Sequence, residues 1–303
     1  MPRSRIEVFR LAALLTCLAL ATSRIGLVAH ELVGHGGTAL AVGAHITGVR
    51  LFWFAGGWIH YYLADGSLAA WLAIAMGGIA VELACGTAIL LAARGDSFGR
   101  RIVRGIGAAL VLHGSWYLAT GAWSGFGDGQ LLYRVLGDAR YPVAIAAGAI
   151  TCTAAFVGAR NVFGAIAGTL ADRRTLGVIV AAAIAAAVNV GLAVGELHVR
   201  RDPAYAQIMQ PERERVVTRE LATWTRDQGS AIDEAALAAQ RAKLEDEQRT
   251  FPFAWLLAVC TAIAALGGAR RSRPGESAAL PLRAAALAAA ISIGGVIALS
   301  YVT

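Results

Sequence analysis

The chain has 303 residues, 57% of them hydrophobic, with a net charge of +7 and a positive mean hydropathy. Several apolar stretches exceed the roughly 18 residues needed to cross a bilayer, which excludes an ordinary soluble domain. The charge is almost wholly arginine, since Lys243 is the only lysine, and in an apolar chain it reports orientation in a membrane rather than nucleic-acid binding. Cys17, Cys85, Cys152 and Cys260 all fall in apolar segments without C-x-x-C spacing and read as packing residues.

In chain order, MPRSRIEVFR followed by LAALLTCLALA has the shape of a signal peptide, with Ala19-Leu20-Ala21 at a cleavage-like position. The apolar run resumes after Arg24, so the sequence predicts one uncleaved helix from Val8 to Gly43. Ile46 to Tyr62 is rich in β-branched and aromatic residues around Ala55-Gly56-Gly57 and predicts a β-hairpin. Trp53, Trp58, Tyr61 and Tyr62 suit a membrane interface. The strand edges cannot face lipid, so the hairpin belongs at the surface or against protein lining a cavity.

Four apolar segments follow: Ser67 to Ala93 with Gly77, Gly78 and Glu82, Ile102 to Trp123 with His113, Tyr141 to Gly158, and Thr175 to Val194. Their small residues favour close helix–helix approach in lipid. Arg201 to Thr250 is polar and predicts an extramembrane helical hairpin, opened by Pro211 and turned at Asp227-Gln228-Gly229-Ser230. Phe253 to Leu266 and Leu282 to Val302 complete an all-α polytopic membrane protein of about seven spanning helices. Four units are expected: a core over 1–140, further spanning helices over 141–200, the polar hairpin over 201–250, and a final helix pair over 251–303. Arginines cluster before the first helix and in alternate connections, which predicts a cytoplasmic N-terminus. The β-hairpin, the loop after Trp123 and the polar hairpin then share the outer side.

The stretch that carries chemistry is LVAHELVGHGGTAL, Leu27 to Leu40. Three ionisable side chains at membrane depth, His30, Glu31 and His35, mark a functional site. The nearest mechanistic pattern is H-E-x-x-H on a helix, with two zinc-binding histidines one turn apart and a glutamate base. Here the spacing is one residue longer. On a regular helix a fifth step turns His35 roughly 140° from His30, against about 40° for a fourth. Two arrangements follow: a π-bulge near Gly34 that brings the histidines together, or a regular helix with Glu31 and His35 paired. In the second, His113 or Glu82 completes a site with Asp128.

The order of motifs is distinctive: HELVGHGGTALAVGA, a Gly-containing hairpin, AMGGIAVELACGTAILL, then Gly125-Phe126-Gly127-Asp128-Gly129-Gln130-Leu131-Leu132. Over roughly Leu11 to Gly137 this resembles the site-2 protease group of intramembrane zinc metalloproteases, particularly its compact bacterial members. The resemblance implies that His30, His35 and Asp128 ligate zinc, and that Glu31 polarises the bound water. It implies a membrane-anchored protein substrate in a bacterial inner membrane, held by Gly77, Gly78 and Glu82, with His113 behind the site. The chain departs from the family in the extra residue between the histidines and in Glu82, where many members carry asparagine. Two other functions fit the same residues: a related membrane protein that serves as a binding or regulatory partner without proteolysis, and a metal-dependent membrane enzyme acting on lipid.

Overall fold

A computed structural model describes residues 2–125, 127–167, 174–201, 212–229, 233–247, 253–271 and 281–302. The expected features at Phe126, Pro211 and Ser230 lie outside them. Helix α1 runs over Pro2–Val28, passes into a π-helical segment at Ala29–Gly36 and closes as α-helix over Gly37–Ala41. Strands β1 (His45–Leu51) and β2 (Gly57–Tyr62) form an antiparallel hairpin, irregular between Ile46 and Gly48. Helices α2 (Leu68–Ala92), α3 (Phe98–Ser124), α4 (Gln130–Val135), α5 (Arg140–Ala167), α6 (Arg174–Val199), α7 (Glu212–Gln228), α8 (Glu234–Glu247), α9 (Phe253–Arg271) and α10 (Leu282–Val302) follow.

Local chemistry sets several boundaries. Ser67 caps α2, its hydroxyl accepting the Ala70 amide at 3.2 Å. Gly125 ends α3 in the left-handed conformation, φ +70°, and Gly127 repeats it at φ +53°. Those two turns fold the chain back at once, so that the short helical turn Gly127–Gly129 rests on α3. Asp128 is delivered to the end of the bundle by that turn.

Among the described residues six helices are long and apolar enough to cross a bilayer: α1, α2, α3, α5, α6 and α10. The seventh expected span forms as α9, but its apolar part, Trp255–Gly267, is shorter. The two polar helices, α7 and α8, pack on each other as expected of a helical hairpin.

The helices pack across long separations in the sequence. α3 lies against α2 and α5, and α5 against α9. α1 lies against α6 and α10. The largest buried cluster joins Leu11 and Leu14 of α1 to Ile102, Ile166, Val178, Ala181 and Ala285, which come from four other helices. Ends of the chain therefore share one core.

Two charged side chains, Arg24 and Glu196, hold the hairpin loop. Arg24, buried in α1, donates from one terminal nitrogen to the carbonyls of Phe52 (2.8 Å) and Ala55 (2.6 Å). The Glu196 carboxylate of α6 accepts the amides of Trp53 (2.8 Å), Phe54 (2.6 Å) and Ala55 (3.2 Å). Arg200 ion-pairs with Glu196 at 3.0 Å and stacks over Trp53. A five-residue loop has no ladder to satisfy its backbone groups, and at membrane depth those groups need partners. Glu196→Ala is therefore expected to raise amide hydrogen exchange at Trp53, Phe54 and Ala55 while α2 and α3 stay protected. Unchanged exchange at those three amides would show that the carboxylate does not hold the loop.

Candidate metal centre

The five-residue spacing of the histidines is taken up by the backbone. From Ala29 to Gly36 the chain is π-helical, and the Gly37 amide reaches back five residues to the Leu32 carbonyl. With i→i+5 bonding a five-residue step closes one turn, so His30 and His35 fall on the same face. Of the two arrangements the sequence left open, the distorted one is present. Gly34 sits at the centre of it. A Cβ on Gly34 would strike the Gly78 backbone, and one on Gly77 would strike the Gly34 carbonyl. Backbone contact this close admits only glycine on both helices.

The ring nitrogens converge. His30 Nε2 lies 2.9 Å from Asp128 Oδ2, His35 Nε2 lies 3.3 Å from the same oxygen, and the two Nε2 atoms are 3.1 Å apart. Four ligands at about 2.0–2.1 Å around one zinc stand about 3.3 Å from one another, close to the sides of this triangle. The proton count points the same way. If both Nε2 atoms donate to the carboxylate, two N–H groups face each other across 3.1 Å. A cation held by three lone pairs removes that conflict. On the far side of its ring, His35 Nδ1 donates to the Ile74 carbonyl at 2.7 Å, which leaves Nε2 as the metal-facing nitrogen.

Burial alone would raise the Asp128 carboxyl, but the imidazoles of His30 and His35 outweigh it and hold the group well below the usual carboxylate range. It faces the histidines as an anion. Two imidazoles and one carboxylate are a donor set that suits zinc and leaves a coordination position open.

Beside these donors is a cavity of about 370 Å³. Glu31 and His35 line one wall, Asp128, Gln130 and Arg134 a second, and the β2 residues Gly57, Trp58, Ile59 and Tyr61 a third. Trp71 and Ala75 of α2 close it. Burial, and then the Asp128 charge, push the Tyr61 hydroxyl above its ordinary value, so it meets the cavity as a neutral phenol. The cavity wall thus combines the Glu31 carboxyl, His35, Asp128 and residues of β2.

Three of the expected site residues are placed differently. The second helix is continuous over Leu68–Ala92, without unwinding at Gly77 and Gly78. Both glycines serve close packing: a Cβ on Gly78 would lie 2.6 Å from His30 Nε2. Glu82 is 2% exposed and absent from the cavity wall, so it cannot hold a substrate there. It lies behind His30, its Oε2 3.2 Å from His30 Nδ1 and 2.9 Å from His113 Nδ1. His113, half-exposed, bonds Glu82 and stands edge-on to the His30 ring at 6.0 Å.

The sequence reading missed Gln130, Arg134 and Trp71 in the cavity wall. Gln130 and Arg134 are four apart on the short helix that directly follows Asp128, a same-face spacing whose signal is visible in the sequence. Trp71 gave none, because an aromatic near a helix start is ordinary.

The extra residue has a testable consequence. Val33 is 59% exposed and belongs to the wide turn. Deleting it is expected to restore regular α-helix with the histidines four apart, while both flanks keep their faces. The variant should keep its thermal midpoint within a few degrees and hold zinc within about tenfold of the parent, by chelator competition. Loss of folding would show that the wide turn is itself required. Searched against protein-family models, curated proteins and solved structures, the chain matches none of them, and the meaning of the site rests on its own residues.

Proposed function

We propose that this chain is a zinc-dependent intramembrane protease that cuts a membrane-anchored protein. The observation that carries the reading is the convergence of His30, His35 and Asp128 on one point at the wall of a cavity that also contains Glu31. When bound, zinc supplies Lewis acidity that brings the ionisation of a water toward neutral pH. His30 and His35 hold the ion through Nε2, and Asp128 through a carboxylate oxygen. Glu31, on the same wall, takes the water's proton and returns it to the leaving amine. The polar cavity admits water to a bond that would otherwise lie in lipid.

An extended substrate fits beside β2. Among the described residues that strand pairs only with β1, and Gly57, Trp58, Ile59 and Tyr61 border the cavity next to Glu31. Strand addition would give the substrate backbone hydrogen bonds that a helix could not offer, and would present one peptide bond to the centre. The Arg24–Glu196 clamp fixes the loop from which β2 departs.

The arginine pattern gives the orientation: N-terminus cytoplasmic, with the centre toward the outer face. Arg134 of the cavity wall pairs with Glu220 of α7 at 3.3 Å and bonds Thr223 at 3.0 Å, which puts the polar hairpin on the cavity's side. A cysteine at Gly229 should react with an impermeant reagent in intact cells. Labelling only after lysis would reverse the orientation.

Catalysis has a sharper test. Glu31→Gln is expected to keep zinc and fold while losing about 10²–10⁴-fold in cleavage of a reconstituted transmembrane substrate. Asp128→Ala should instead lower zinc content. Full cleavage by purified Glu31→Gln protein would end the protease reading, and turnover of phospholipid but not of peptide would favour a lipid substrate.

A further inference from the structure

A carboxylate with no access to the cavity needs a different account. Glu82 sits in the middle of α2, a helix apolar enough to cross a membrane, and is 2% exposed. An isolated charge there is costly, so its partners define its use. They are two. Both carboxylate oxygens lie 2.9 Å from His113 Nδ1 of α3. Oε2 also faces His30 Nδ1 at 3.2 Å, a charge contact not aligned as a hydrogen bond. No other hydrogen-bonding group meets that buried Nδ1 among the described residues.

The surroundings leave the His30 ring little choice of plane. Gly78, four residues before Glu82 on the same face of α2, lies so close that a Cβ would come within 2.7 Å of three ring atoms. Tyr117 stands edge-on at 5.7 Å and His35 at 4.7 Å. On the far side of the carboxylate, a Cβ on Gly114 would be 3.3–3.4 Å from Glu82. The acid is boxed in, with His30 and His113 as its two polar neighbours.

We infer that Glu82 is a positioning residue that holds the proton of His30 on Nδ1, and so aims the Nε2 lone pair at the metal position, with His113 fixing the carboxylate from behind. A carboxylate can only accept, so the nitrogen facing it carries hydrogen. Without a cation Asp128 asks the same of Nε2 at 2.9 Å, and that is the proton a metal would replace. Ile74 takes the part of Glu82 for His35, through a backbone carbonyl. The two ligands thus differ in kind: one is braced by a neutral dipole, the other by an anion, which makes His30 the stronger donor of the pair.

The inference rests on the metal-site reading, but its first test does not need metal. In zinc-free protein labelled with ¹⁵N-histidine, the His30 signals are those missing from His30→Asn. Parent protein is expected to show Nδ1 protonated. Glu82→Leu is expected to show Nδ1 bare and Nε2 protonated, toward Asp128. Glu82→Gln keeps an acceptor oxygen and should keep the proton on Nδ1.

Zinc affinity gives the second measure. Glu82→Leu should weaken binding about 10- to 100-fold. Glu82→Gln should recover most of that loss, and His113→Phe should fall between. If Glu82→Leu does not fold, the ranking of parent, Glu82→Gln and His113→Phe decides, with equal affinities overturning the proposal. An unchanged His30 tautomer in Glu82→Leu overturns it too. Parent protein that binds no zinc, yet shows the tautomer change, sinks the metal reading and leaves the positioning role standing.

Discussion

The contact between Gly34 and Gly78 is the constraint on which the rest of the site depends. Two backbones meet there with no side chain between them, and everything polar in the site is arranged around that point. On one side the wide turn brings His30 and His35 onto a single face. On the other, α2 offers the Ile74 carbonyl to one imidazole and the Glu82 carboxylate to the second. A larger residue at either glycine would separate the helices and move both braces away from their rings. Helix spacing, ligand convergence and ligand orientation are therefore one geometric fact.

Much of this was legible in the residues, but unevenly. The spans of α1, α2, α3, α5, α6 and α10 follow from long apolar runs, which carry the strongest signal a membrane sequence has. The hairpin was readable from its aromatic and β-branched residues around Gly56 and Gly57. The histidine spacing limited the backbone to two arrangements and could not choose, because the choice is made by Gly78 on another helix. Glu82 was misread for a related reason. Sequence shows that a charge lies in an apolar run, whereas which way it faces depends on α3 and on the phase of α1. Arg24 and Glu196 are the clearest case. Each looks like the fringe of an apolar segment, and only the fold shows them grasping the same five-residue loop.

The site also divides its tasks among unlike supports. Rigid helix holds His30 and His35, as a bonded π turn packed against a second helix. Asp128 comes from a tight turn with two left-handed glycines. β2, the third wall, packs on the π-helical segment and on α2 through Ile59 and Tyr61, and charged side chains grip its loop.

One more consequence lies in the packing of α1 between α6 and α10. The helix that bears the histidines lies early in this sequence, yet one of its flanks is covered by α10, far along the chain. Glu196, the partner of the loop that Arg24 also grips, emerges well over a hundred residues after it. By contrast α2 and Asp128, which cover the two histidines, come much earlier than Glu196. Folding of such a chain has an interval in which the histidine face can already be closed while Arg24 holds the hairpin loop without its acidic counterpart.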